Sequence, residues 1–273
     1  MKYIKRLIFF ILKNILKKNL IFKNVAKKKE CIILANGASI KNYDLKKFSN
    51  YDVITTSMMF LHKDFKYLNI VADCEVAPFI LYKYWRNPYS KKIEKNMKLE
   101  MLKKTNRFQF NHPYFLSLTN FFSNLKKKNF YYLYDFDEKK FNPNIDLSNK
   151  FPYLSGSLFC MMGIAKYMNY KKIILIGTDY LLDTPIIGHF YEKESQTVSK
   201  KVFQDIELSF FKEIKKKIDI EIIVPENYSS KVFKSLNYES FVKEREVKKK
   251  NYDIVSVENL KLLDSIKMEY RIF

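Results

Sequence analysis

Glycine is nearly absent from this chain: five residues in 273, Gly37, Gly156, Gly163, Gly177 and Gly188. An average composition of about 7% would supply nearly four times as many, so the survivors mark places where a side chain is hard to accommodate. The scarcity excludes the glycine-rich phosphate loops of dinucleotide-binding and Walker-type proteins, whose spacing occurs nowhere. Cysteine is as sparse. Cys31, Cys74 and Cys160 are odd in number, far apart and set in apolar patterns, which excludes a disulfide framework or a paired-cysteine zinc site and reads as buried thiols in a reducing compartment. Long apolar runs are missing too. The longest near the amino terminus, Leu7 to Leu12, is far below the roughly 20 residues that span a bilayer, and no small-residue cleavage site follows it.

Acidic residues are in deficit: 29 Asp and Glu face 50 Lys and Arg, a formal charge of +21. The excess is mostly lysine, in runs such as Lys126–Lys128, Lys215–Lys217 and Lys248–Lys250, which read as solvated faces. Recognition of bases or phosphates through planar, bidentate contacts would favour arginine. With no recognised motif and no aromatic platform, a nucleic-acid partner is the least favoured reading of the charge.

What is present is an apolar content of 47% and an aromatic content of 16%, ample for a packed core. Residues 4, 7, 8, 11, 12, 15, 16 and 20 form an apolar helical stripe with Lys5, Lys13, Lys17 and Lys18 on or beside the opposite face. The pattern predicts a basic amphipathic helix over 1–28, lying on an anionic membrane surface or packed on the protein's own core. After it, short apolar runs at Cys31–Ala35, Asp52–Thr56, Leu68–Ala72, Phe130–Tyr134, Ile173–Ile176 and Glu221–Val224 alternate with helical patterns near 76–86, 91–104, 114–127, 157–168, 199–217 and 229–236. Such alternation predicts an α/β fold with a doubly wound, mostly parallel sheet. The expected units are the helix 1–28, a ligand-binding domain 29–237 with a helical insertion or lid at 78–128, and a helical tail 238–273.

The glycines point to a site. Gly37 follows the first strand in Asn36-Gly37-Ala38-Ser39, where open α/β sheets hold phosphates and nucleotides. Gly156 precedes Ser157 at a helix start, where free backbone N–H groups can hold an anion or Ser155 or Ser157 can cap the helix. Gly177 ends a strand and places Thr178, Asp179 and Tyr180 at the carboxyl edge of the sheet. Gly188 precedes His189 on a loop. A histidine there suits general-base chemistry, whereas His62, on a Lys-rich turn, and His112, before Pro113, read as structural or solvated. A separate carboxylate pair, Asp135 and Asp137, follows the Phe130–Tyr134 run; alternate residues of an extended segment point the same way and could share a divalent metal.

At Asn36 to Ser39, at Ser155-Gly156, along Tyr170 to Tyr180 and at the downstream loop histidine, the sequence resembles the bacterial lipooligosaccharide sialyltransferases of glycosyltransferase family forty-two. The resemblance covers about residues 30–225. It implies a GT-A-like domain, without a cofactor or metal, that moves a sialic acid or related sugar from a CMP-activated donor to a lipooligosaccharide or capsule acceptor. It implies that Asn36 contacts the donor phosphate or sugar, Ser155 and the Gly156 backbone the sugar carboxylate, Tyr180 the departing phosphate, with Tyr191 as a stand-in for a second tyrosine, and that His189 takes the acceptor proton. Ser57 and Asp73 stand where the family carries asparagines that read the nucleotide, and Pro152 and Tyr153 replace an arginine. These departures leave open another nucleotide or sugar, a metal-dependent UDP-sugar transferase using Asp135 and Asp137, or pyrophosphoryl transfer on the same fold. A cytoplasmic enzyme peripheral to the inner face of the membrane is the expected setting; homo-oligomerisation is left open.

Overall fold

The computed structural model describes residues 12–56, 58–82, 110–134, 144–149, 156–193, 196–197 and 205–266, together with Leu7, Phe10 and Lys103. In chain order the strands are β1 (Glu30–Leu34), β2 (Asp52–Thr56), β3 (Asn69–Glu75), β4 (Tyr114–Ser117), β5 (Phe130–Leu133), β6 (Lys172–Ile176), β7 (Ile186–Ile187), β8 (Gln196–Thr197), β9 (Asp219–Val224) and β10 (Lys234–Asn237). Eight of them form one sheet in the order β10-β9-β6-β1-β2-β3-β4-β5. Every pairing in it is parallel. β7 and β8 make a small antiparallel hairpin.

The continuous apolar runs are explained by burial on both faces. In β1, Ile32 and Leu34 enter one core cluster while Cys31 and Ile33 enter the other; β6 divides likewise, Ile174 and Ile176 against Ile173 and Leu175. The first face is covered by 3-10 turns, Ala38–Asn42, Leu45–Phe48 and Lys63–Tyr67. They bring Ile40, Tyr43, Phe48 and Phe65 down onto the sheet. The second is covered by helices α1 (Ser157–Met168) and α2 (Asp205–Lys215). The chain therefore winds outward from β1 to β5 under one face, crosses by α1, and winds the other way through β6, β9 and β10. The expected doubly wound sheet is present.

Two expected helices are strands. Tyr114–Ser117, inside the presumed helical insertion, is β4, a central member of the sheet. Tyr114 and Leu116 face one core and Phe115 the other, but the following Leu118, Phe121, Phe122 and Leu125 mimic a helical period, so a short apolar run could not decide between the two. The 229–236 pattern overlaps β10, a polar edge strand held to β9 by backbone pairing and by the Lys234–Glu221 ion pair at 2.5 Å. Of the rest of the insertion, residues 83–102 and 104–109 lie outside the described residues.

The amino-terminal segment packs on the sheet domain. Leu12 and Leu16 are buried in one core and Phe22 in the other, so residues 12–22 wrap the β5 edge, which would otherwise expose unpaired backbone. Asn19, fully buried, donates its amide to the carbonyl oxygens of Tyr132 at 2.8 Å and Leu147 at 2.7 Å. Leu7, Phe10, Leu20, Ile21 and Val25 point outward. The tail also packs. Helix α3 (Tyr238–Val242) lays Tyr238 on Tyr43, ring centroids 4.7 Å apart, and α4 (Asn251–Ile254) and α5 (Val257–Ile266) bury Ile254 and Leu263.

Replacing Asn19 by Ala strips two buried carbonyls of their donor, a loss of about 1–3 kcal/mol. Thermal or urea denaturation of Asn19→Ala is expected to show it; unchanged stability would mean that residues 12–22 do not hold the edge.

Candidate active site

The strand order reverses between β1 and β6, which lie side by side with Leu34 opposite Ile176. Ligands bind such sheets outside the carboxyl ends at this switch point. Beyond the strands the two turns continue to touch. Ala35 N–H donates to Ile176 O at 2.8 Å and Gly37 N–H to Gly177 O at 2.9 Å. The contact tolerates no side chain. A Cβ on Gly37 would lie 2.5 Å from Gly177 O and 2.6 Å from the Asp179 carboxyl; one on Gly177, at φ +69°, would lie 2.5 Å from Ala35 O.

Asp179 then locks the first turn. Its carboxylate accepts the Ser39 N–H at 2.8 Å and the Ser39 hydroxyl. Burial pushes the Asp179 carboxyl up to about 6, against the Ser39 hydrogen bonds and the field of His189, which pull it down. Ser39 and Asp179 were expected among the ligand contacts; the structure pairs them with each other and makes them the frame of the turn. Thr178 is likewise buried.

The third piece is the loop after β7. Gly37 and His189 pair as an isolated antiparallel bridge, and Phe190 N–H donates to Asn36 O at 3.2 Å. Phe190 and Tyr191 are buried, so the loop is anchored directly after the pairing. His189, just before them, remains partly exposed. Its ring stacks on Tyr191, centroids 5.1 Å apart. Its Nδ1 stands 3.4 Å from Glu192 Oε1, while its backbone N–H donates to Glu192 Oε2 at 2.9 Å. The carboxylate thus sits beside the Nδ1 side of the ring, a position from which a third group can orient a base. Tyr191, expected at the departing phosphate, is the platform under this ring.

These turns enclose a cavity of about 340 Å³ lined by Asn36, Thr56, Ser157, Tyr180, His189 and Glu207. Gly156, also on its wall and at φ +108°, opens α1, whose first-turn N–H groups give that end a partial positive charge. Of the residues expected from sequence, Asn36, Gly156, Ser157, Tyr180 and His189 thus share one cavity, with Gly37 behind the turn that forms it. Asp73 is elsewhere: it sits within β3, 3.8 Å from His112 Nε2. Ser57, Ser155, Asp135 and Asp137 lie outside the described residues. His62 is structural, its Nδ1 accepting the Asp64 N–H at 3.1 Å and burial pushing its imidazole down to about 3.

Three residues escaped the sequence reading. Thr56 ends β2, a position that could have been found by taking the last residue of each strand. Glu192 lies three residues after His189, a weak signal in a loop. Glu207 comes from α2 and reaches the cavity only through packing.

Fold and site together define an α/β protein with a ligand cavity at the switch point of a parallel sheet and an imidazole–carboxylate pair on its rim. No protein-family model matches the chain, and no curated protein matches it. Among solved structures it is similar to the sialyltransferase CstII from Campylobacter jejuni in complex with the substrate analogue CMP-3FNeuAc, at 18% identity and a TM-score of 0.44, over 87% of this chain and 99% of that one. It is similar also to the sialyltransferase CST-II in complex with a trisaccharide acceptor and CMP, at 17% identity and a TM-score of 0.47, over 88% and 100%.

Gly37→Ala is expected to unfold the turn or lower the melting temperature by several degrees, because the atoms it meets are backbone and a buried carboxyl. Asp179 yields a pH signature. Its folded value near 6 exceeds the ordinary 3.8, so the native state binds the proton more tightly than the unfolded chain. The contribution of this group to stability therefore falls as pH rises from about 4 to about 6 and stays low above. The difference in stability between the wild type and Asp179→Asn, which cannot titrate, should change across that window; a constant difference would show that Asp179 does not titrate there.

Proposed function

We propose that the chain is a glycosyltransferase that moves sialic acid or a related sugar from a CMP-activated donor to a glycan or glycolipid acceptor, with His189 as general base. The observation that carries the reading is the convergence of Asn36, the α1 start, Tyr180 and the Glu192-oriented His189 on one cavity at the switch point. A sugar hydroxyl is a weak nucleophile. A base within hydrogen-bond reach removes its proton as the oxygen attacks the anomeric carbon and the bond to the phosphate breaks. In this scheme His189 Nε2 receives the proton, and Glu192 steadies the imidazolium that results.

The departing nucleotide takes the bonding electrons and gains negative charge. Tyr180 and the α1 amino terminus are placed to offset it. None of the described residues lining this cavity is a lysine or arginine, which suits a monophosphate leaving group held by neutral donors better than a bare diphosphate. The resemblance at Asn36–Ser39, Ser155-Gly156 and Tyr170–Tyr180 supplies the CMP-sugar assignment. Membrane attachment is part of the proposal: the outward Leu7, Phe10, Leu20, Ile21 and Val25, flanked by Lys13, Lys17, Lys18 and Lys23, form an apolar, basic-rimmed face suited to an anionic leaflet. No helix among the described residues is long and apolar enough to cross a membrane.

His189→Ala should lower turnover about 10²–10⁴-fold while CMP still raises the melting temperature, since ligands that bind only the native state stabilise it. Glu192→Gln should lower kcat with the donor KM unchanged. Normal turnover in the alanine variant removes the mechanism. A thermal shift with UDP-sugar and Mg²⁺ but none with CMP compounds would favour a metal-dependent transferase instead. Phe10→Ser with Ile21→Ser should reduce co-sedimentation with anionic liposomes; undiminished binding would rule out this face as the attachment.

A further inference from the structure

A second cavity, of about 740 Å³, opens beside the first. Lys41, Lys193, Lys248, Lys249 and Lys250 line it, with no acidic residue among the described lining residues. Tyr228 and Tyr252 line it as well. The Lys248–Lys250 run, read from sequence as a solvated face, is held here by backbone pairing: Val247 N–H donates to Asn42 O at 3.2 Å and Lys249 N–H to Lys41 O at 3.0 Å. Glu246, just before it, accepts the Glu226 N–H at 3.0 Å and the Asn42 amide at 3.3 Å.

Two of the ammonium groups, Lys41 and Lys248, act on each other. Burial holds Lys41 below the ordinary lysine value, Glu192 draws it back and Lys248 pushes it further down. Lys41 and Lys249 donate to neutral carbonyls, of Glu192 and Tyr43, which leave their charge in place. Among the described residues, Lys193 alone of the five forms an ion pair, with Asp264 at 3.7 Å, and both are largely exposed. Like charges gathered without counter-charge in the lining are a standing repulsion that an anion relieves. Lysine ammoniums serve phosphate as point charges, and tyrosine rings offer apolar faces with a polar tip against which a sugar can lie.

The two cavities share a wall. Gly37 pairs with His189, and the next residue, Ala38, lines the lysine cavity. The hairpin does the same: His189 lines the first cavity, Ile186, Lys193 and Thr197 the second. The turn and the loop that position His189 therefore border both cavities.

We propose that the lysine-walled cavity is the acceptor subsite and binds a phosphate group carried by the acceptor sugar, with Tyr228 and Tyr252 flanking the ring. The assignment rests on the transferase reading, because it makes this sugar the one whose hydroxyl His189 deprotonates.

The test is isothermal titration of the full chain with glucose 6-phosphate, glucose, inorganic phosphate and, separately, CMP. Wild type is expected to bind glucose 6-phosphate more tightly than phosphate and to show no heat with glucose. Lys248→Gln, at an exposed side chain, and Lys41→Gln with Lys248→Gln should weaken glucose 6-phosphate at least tenfold and leave CMP unchanged. Equal binding in wild type and variants, no glucose 6-phosphate binding by a protein that binds CMP, or inorganic phosphate binding as tightly as the sugar phosphate overturns the proposal and leaves the transferase reading standing. Lysine-dependent binding of the sugar phosphate by a protein that binds no nucleotide overturns the transferase reading, and the acceptor assignment with it.

Discussion

The close approach of two turns, Gly37 N–H to Gly177 O at 2.9 Å with Asp179 closed over Ser39, is the constraint on which the site depends. It extends the β1–β6 pairing past the end of both strands, so the first and second halves of the winding meet without a gap. The His189 loop is then paired to the same turn through Gly37 and Asn36. Three segments distant in sequence become one rigid rim. A buried carboxylate raised to about 6 is an expensive way to build a turn, and its hydrogen bonds to Ser39 are what make it tolerable.

Around that contact the fold is arranged to leave one edge of the sheet open. Both faces are closed, by 3-10 turns on one side and α1 and α2 on the other. The β5 border is wrapped by residues 12–22 through Asn19. The carboxyl edge carries the cavities, and the carboxyl-terminal segment returns to it along Lys41 and Asn42. One segment thus both packs the core, through Ile254 and Leu263, and supplies charge at the site.

Charge is distributed unevenly between the two cavities. The one containing His189 is lined by neutral donors, the imidazole and Glu207, whereas its neighbour collects lysines.

Sequence alone determined the strands that are buried on both faces, β1, β2, β6 and β9, because continuous β-branched runs have few other uses, and it determined α1 to the residue. It also singled out Gly37, Gly177 and His189, since glycine is rare here and histidine rarer. What only the tertiary structure decided was how polar groups are used. Asp179 and Ser39 face each other, Tyr191 stacks on His189, Glu192 and Glu207 reach the rim, and Lys248–Lys250 turn toward a cavity. Strands β4 and β10 belong to the same category. Their local patterns are ambiguous or polar, and backbone pairing with neighbours far along the chain assigns them. Local periodicity reports which side of an element is apolar; it carries no information about what the other side will meet.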